Sequence, residues 1–220
     1  MTEADFSGIH SGNSEEWIET VAQEFRDGFK VLSDIGPAIS IFGSARLGKG
    51  SPYYKAAQDM ASLAAARGKA VITGGGPGIM EAANKGAHLA GGRSVGLGIT
   101  LPREQGINKY VDTSIIFKHF FVRKIMFLQH SQGIIICPGG FGTFDEMFET
   151  LTMIQTRKAP RIPIVLYQGN YWHDLFDWLD TTVLNNGMIS PLDPGIVNFT
   201  DDVEEAVDIV SSPHTFTSLH

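Results

Sequence analysis

The apolar positions change period repeatedly along the chain. Solid apolar runs of four to six residues alternate with stretches whose apolar residues recur every three or four positions. The first pattern suits strands buried on both faces, and the second suits helices packed along one side. The strand-like runs are 38–42, 70–73, 94–99, 114–117, 133–137 and 163–167, with a shorter one at 197–199. Helical spacing follows at 52–67, 79–90, 120–132, from Thr143 onward, at 171–185 and at 201–210. Gly68, Gly91-Gly92 and Gly187 read as helix stops, and Thr200 or Asp201 as the cap of the last helix. Residues 100–113 lack any period and hold Pro102 and Gly106, so they read as a loop. Strands alternating with helices predict a parallel sheet covered on both faces, with right-handed crossovers. One helix precedes the series. Trp17, Val21, Phe25 and Phe29 recur every four residues, with Ile18 and Leu32 beside them and Asn13 and Glu16 as a capping pair. This extra helix is expected to pack on the sheet or on a partner subunit. Residues 1–12 are expected to be disordered, 13–211 to form one domain, and 212–220 to be a tail.

The stretch Gly133–Arg157 concentrates the chemistry. Pro138 cannot donate to a ladder, so it should end the strand. Gly139, Gly140 and Gly142 then offer positive φ or close approach of a ligand to the backbone. From Thr143 the residues Phe144, Met147, Phe148, Leu151 and Ile154 follow a helical period. A strand, a glycine turn and a helix start together aim N–H groups and a helix dipole at one spot, which suits a phosphate. The same letters have a purely structural reading. Thr143-Phe144-Asp145-Glu146 fits a capping box, although a cap alone does not require three glycines in four residues.

Two further glycine turns follow strands. Thr73–Glu81 reads TGGGPGIME and fails the dinucleotide pattern GxGxxG at Ile79; the turn at Gly140–Asp145 fails it too. Gly43–Gly50 approaches a P-loop, but Gly50 stands where Ser or Thr must hold magnesium. All three turns should lie at the carboxyl edge of the sheet, where ligands bind near a topological switch point.

Composition narrows the classes. A net charge of −7 argues against a nucleic-acid-binding surface. The single cysteine, Cys137, excludes an intramolecular disulfide and reads as a small core residue in a reducing compartment. The N-terminus has neither a basic region nor an apolar run, and no stretch reaches membrane-span length. A cytoplasmic protein with no membrane partner is expected. The seven histidines are scattered, with no HExxH or cysteine cluster and no GxSxG elbow, so no metal site or serine nucleophile is indicated.

Pro138–Glu146 resembles the PGGxGTxxE signature of the LOG ("Lonely Guy") family, cytokinin riboside 5′-monophosphate phosphoribohydrolases formerly labelled lysine decarboxylases. The resemblance runs from about Ile39 to Val210. The fold it implies is α/β, a Rossmann-like doubly wound parallel sheet with helices on both faces. Gly74–Asn84 resembles the family's GGGxxGxM segment, and Phe42–Arg46 its first loop. Phe120–Lys124 resembles its MHxRK segment only at Arg123 and Lys124; Phe120 and Phe121 depart from it.

By that resemblance, Gly139, Gly140, Gly142 and Thr143 bind a 5′-phosphate. Gly43, Ser44, Gly75, Gly76, Glu81, Phe120 and Lys124 border the nucleotide, and Arg123 and Glu146 are catalytic. The implied reaction cleaves the N-glycosidic bond of AMP or N6-modified AMP, giving free base and ribose 5-phosphate, with no metal and no cofactor. The old decarboxylase label calls for pyridoxal phosphate, but a phosphate-binding turn serves a nucleotide equally well. Two alternatives stand: a carrier for a phosphorylated pterin-type cofactor, or a broader purine or pyrimidine nucleotide nucleosidase. A homodimer or larger homo-oligomer is expected.

Overall fold

The computed structural model describes residues 14–101, 106–191 and 193–212. The expectations for residues 1–12, for Asn13 as a cap and for the tail beyond 212 fall outside them. Seven strands and seven α-helices succeed one another. They are α1 (Ser14–Leu32), β1 (Ala38–Phe42), α2 (Pro52–Ala66), β2 (Ala70–Thr73), α3 (Ile79–Leu89), β3 (Ser94–Ile99) and β4 (Thr113–Phe117). Then come α4 (Phe120–His130), β5 (Ile134–Ile136), α5 (Phe141–Gln155), β6 (Ile164–Tyr167), α6 (Gly169–Trp178), β7 (Val197–Thr200) and α7 (Val203–Ser211).

The strands form one sheet in the order β4-β3-β2-β1-β5-β6-β7. Every pairing is parallel, with Ile39 beside Val71 and Ile41 beside Ile135. The solid apolar runs are explained by burial on both faces. Ile39, Ile41, Ile135 and Val165 face α2, α3 and α7, while Ala38, Phe42, Ile134, Ile136 and Leu166 face α1, α4, α5 and α6. This is the doubly wound, Rossmann-like arrangement expected from the sequence. The chain runs outward from β1 to β4, then α4 returns it to β5, on the other side of β1. The switch point therefore lies between the carboxyl ends of β1 and β5.

Glycine ends helices as expected. Gly68, Gly91 and Gly187 take left-handed φ values of 75°, 73° and 71°. Cys137 is fully buried, and burial pushes its thiol up to about 12, which makes it a core residue rather than a nucleophile. Among the described residues no helix is long and apolar enough to cross a membrane.

Three local expectations are corrected. The capping box at Thr143 does not form. Helix α5 begins two residues earlier with Gly140 as its cap, and the Glu146 side chain turns away to Arg123. The expected helix 171–185 begins at Gly169 and passes into a π-helical turn at Leu179–Leu184. The cap of α7 is Asp202, whose carboxylate accepts from the Glu205 N–H; Thr200 instead accepts from the Asp202 N–H, and Asp201 from that of Gly169.

Candidate functional site

A cleft of about 690 Å³ opens at the switch point. That lies within the roughly 300–1,000 Å³ range of small-molecule sites. Three strand-to-helix turns wall it. The turn after β1 supplies Gly43, Ser44, Ala45 and Arg46, that after β2 supplies Gly74 and Met80, and that after β5 supplies residues 139–144. Helix α4 adds Phe120, Arg123 and Phe127, and α6 adds Tyr171.

The β1 turn interlocks with the β5 turn and with the start of α3. The Ser44 N–H donates to the Pro138 carbonyl at 3.1 Å, and the Ile79 N–H to the Ser44 carbonyl at 3.0 Å. These bonds need bare backbone. A Cβ at Gly139 would lie 2.1 Å from Thr143 Oγ1, and one at Gly43 would lie 2.6 Å from Ile79 Cγ2. Gly140 and Gly142 differ, because a Cβ at either would meet nothing within 4 Å. None of Gly139, Gly140 and Gly142 takes positive φ, which corrects one half of the expectation for them. What remains is open space over bare backbone at a helix start. The Phe141 and Gly142 N–H groups precede the first bond of α5, which the Thr143 N–H donates to the Gly140 carbonyl at 2.9 Å. They carry the positive end of its dipole.

One turn further into α5, Glu146 meets Arg123 of α4. Arg123 Nη2 donates to Glu146 Oε1 at 2.9 Å, and both side chains are nearly buried. The guanidinium also lies 5.2 Å from the Phe120 ring centroid and 5.8 Å from that of Phe127. Burial pushes the Glu146 carboxyl above the usual carboxylate range, while Arg123 and Lys124 pull it back. Among the described residues the buried Arg123 Nε has no hydrogen-bond partner. The arrangement thus offers an anion-binding helix start, a guanidinium and a carboxylate in one apolar-walled cleft.

The structure brings together Gly43, Ser44, Phe120, Arg123, Gly139, Gly140, Gly142, Thr143 and Glu146 in the cleft lining. Four residues expected at the nucleotide stand outside that lining. Gly75 and Gly76 turn their carbonyls to the Asn108 side-chain amide at 3.0 Å, so only their neighbour Gly74 reaches the cleft. Glu81 accepts from the Tyr54 hydroxyl at 3.0 Å, with Lys49 3.9 Å away. Lys124 bonds Asp145 at 2.7 Å and also pairs with Glu149; burial lowers its ammonium, but these two bonds outweigh it and raise it.

Sequence reading missed Arg46, Met80, Phe127, Phe141, Phe144 and Tyr171. Phe141 is the variable position inside the glycine motif and stands 93% exposed. Met80 follows directly from its place in the second glycine turn. Tyr171 had no local signal. It lies more than twenty residues past the motif and arrives only because β6 neighbours β5. Among the described residues that line the cleft none is a lysine, so none of these offers an amine for a Schiff base with pyridoxal phosphate. Among the described residues no cluster of three or more His, Cys, Asp or Glu is placed to hold a metal.

A parallel sheet with a glycine-walled, helix-start cleft at its switch point defines a Rossmann-like α/β protein. Within that class the chain belongs to the LOG family: the family model described as "Possible lysine decarboxylase" matches residues 80–210. The probable cytokinin riboside 5′-monophosphate phosphoribohydrolase LOGL5 of Oryza sativa subsp. japonica is 28% identical over 189 residues, 82% of this chain and 76% of that protein. The cytokinin riboside 5′-monophosphate phosphoribohydrolase of Rhodococcoides fascians is 26% identical over 181 residues, 80% of this chain and 90% of that one. Among solved structures, the molybdenum cofactor carrier protein of Chlamydomonas reinhardtii superposes with a TM-score of 0.59 at 23% identity, covering 80% of this chain and 96% of that one. The molybdenum cofactor binding protein of Rippkaea orientalis gives 0.58 at 23%, covering 80% and 95%. These two likenesses speak to the fold alone.

Proposed function

We propose that this protein hydrolyses the N-glycosidic bond of a nucleoside 5′-monophosphate, AMP or an N6-modified AMP, to free base and ribose 5-phosphate. The observation that carries the reading is the nearly buried Glu146–Arg123 pair, 2.9 Å apart, beside the open first turn of α5. The names of the phosphoribohydrolase relatives support it.

The phosphate rests on the N–H groups of the α5 start, with the Thr143 hydroxyl as a further donor. That places the ribose over α5, toward Glu146. The bond from C1′ to the base nitrogen breaks with its electron pair going to the base, and positive charge develops on the ribose, as in other oxocarbenium-like transition states. The Glu146 carboxylate stabilises that charge and orients the water whose oxygen bonds to C1′. A proton from that water is balanced by one delivered to the departing base. Arg123 stabilises the anionic side, at phosphate or base. Phe120 and Phe127 supply apolar surface against a planar base.

The test is base release from a panel of nucleotides, resolved by chromatography. AMP should release adenine, and adenosine far less, because it lacks the anchor. Equal rates on the two would contradict the phosphate-anchor argument, and ATP hydrolysis to ADP would revive the P-loop reading. Binding of AMP without base release would mark a carrier. The pH profile adds a check. Glu146 works ionised, and burial raises its carboxyl, so kcat/KM should fall with acid at a higher pH than the roughly 4.3 of an exposed glutamate.

A further inference from the structure

Tyr171 stands at the third position of α6, on the far side of β6 from any motif. Its hydroxyl donates to the Gly139 carbonyl at 2.6 Å, across to the turn after β5. That bond reaches one particular peptide, Gly139–Gly140. A trans peptide holds its C=O and N–H on opposite sides. With the carbonyl turned to Tyr171, the Gly140 N–H is turned the other way. The Gly140 position is open space, and its backbone carries no Cβ to oppose rotation of the peptide. A flipped peptide would present a carbonyl where an anion needs a donor.

The fold invests in aiming this tyrosine. Gln168, three residues earlier, holds φ 67° and ψ 75°, a left-handed conformation that non-glycine residues seldom adopt. Among the described residues only Arg157 shares that sign of φ outside glycine. Three bonds fix the Gln168 turn: the Gln168 N–H to the Thr200 carbonyl at 3.0 Å, the Gly169 N–H to Asp201 Oδ1 at 2.7 Å, and the Tyr171 N–H to the Gln168 carbonyl at 3.0 Å. The ring itself is braced edge-on by Trp172, centroids 4.9 Å apart. Trp172 is fully buried and anchored through its indole N–H to the Tyr167 carbonyl at 3.0 Å. Strain held in place by several bonds, next to a cleft, points to function.

We propose that Tyr171 is a positioning residue that locks the Gly139–Gly140 peptide with its N–H free for the phosphate of the ligand. This rests on the reading of the α5 start as the phosphate site. It acts through the peptide, so its effect belongs to phosphate recognition and not to bond cleavage.

The test is Tyr171→Phe, which keeps the ring and deletes the one donor. Calorimetric titration with ribose 5-phosphate and with AMP should show affinity reduced about tenfold, the scale of one lost hydrogen bond at a charged site. KM for AMP should rise to match while kcat stays within about twofold. The thermal midpoint should be unchanged. Unchanged affinity for both phosphate ligands overturns the proposal. So does a fall in thermal midpoint with no loss of phosphate affinity, which would make the bond purely structural. If the wild-type protein binds neither ligand, the phosphate site itself falls, and this inference with it; that outcome is read from the wild type alone.

Discussion

A methyl group at position 78 has nowhere to go. Gly78 holds φ 71° and ψ −131°, and a Cβ there would lie 2.3 Å from the Ser44 carbonyl oxygen. Both the conformation and the contact reject any other residue. Gly78→Ala should therefore cost about 3 kcal/mol or more of unfolding free energy, from left-handed strain plus displaced backbone. Gly48→Ala, in open space without positive φ, should be near neutral; equal costs in denaturant titrations would contradict this account. At this scale the sequence was informative about composition and less so about cause. Glycine at 139 was legible as a turn residue. That it is required by Thr143 and Ser44 crowding its Cα was not, because the helix start sets the first neighbour and the packing of the β1 turn the second. Thr143 and Glu146 fitted a capping box on spacing, but α5 already begins at Phe141, and Glu146 bonds Arg123, twenty-three residues away.

Helix starts and stops show what local pattern can and cannot carry. Glycine stops are local chemistry and were legible at Gly68, Gly91 and Gly187. Starts capped from elsewhere were not. Asp201 caps α6 from the far end of β7, which is why that helix begins before its expected first residue. Helix α4 is capped from α1. Glu24 accepts from the N–H groups of Lys118 and His119 at 3.1 and 3.3 Å, and from the His119 ring at 3.2 Å. The carboxylate also faces the positive end of the α4 dipole. The extra N-terminal helix is thus tied to the helix that carries Arg123. Glu24→Ala should lower the unfolding free energy by about 1–2 kcal/mol, the cost of leaving partly buried donors unpaired. Denaturant titration checks this; a change within about 0.3 kcal/mol would mean that water replaces the carboxylate without loss.

At the scale of the molecule, alternating patterns were enough to give the doubly wound sheet and to put every glycine turn on one edge. They do not give strand order. The order β4-β3-β2-β1-β5-β6-β7 is what joins the β1 and β5 turns and lets Tyr171 reach the cleft. Some apolar surface is left unaccounted for by the sheet. Trp17, Ile18, Phe29 and Phe121 on α1 and α4 are each more than 40% exposed, and Trp17 and Phe121 lie 6.1 Å apart. Exposed apolar side chains in number are expected at interfaces. Light scattering at micromolar concentration should give at least twice the chain mass of 23.9 kDa; a monomer would contradict it.

In the proposed reaction the Glu146 charge acts on a cationic ribosyl transition state. Glu146→Gln removes the charge and keeps the shape, and since Glu146 does not cap α5 the helix start is untouched. An interaction made chiefly in the transition state appears in turnover and little in binding. Base release from AMP should fall by about two to three orders of magnitude, the scale for one preorganised electrostatic partner. AMP affinity by calorimetry and the thermal midpoint should stay close to wild type. A variant that releases base at the wild-type rate, while folded and binding AMP, would contradict the account.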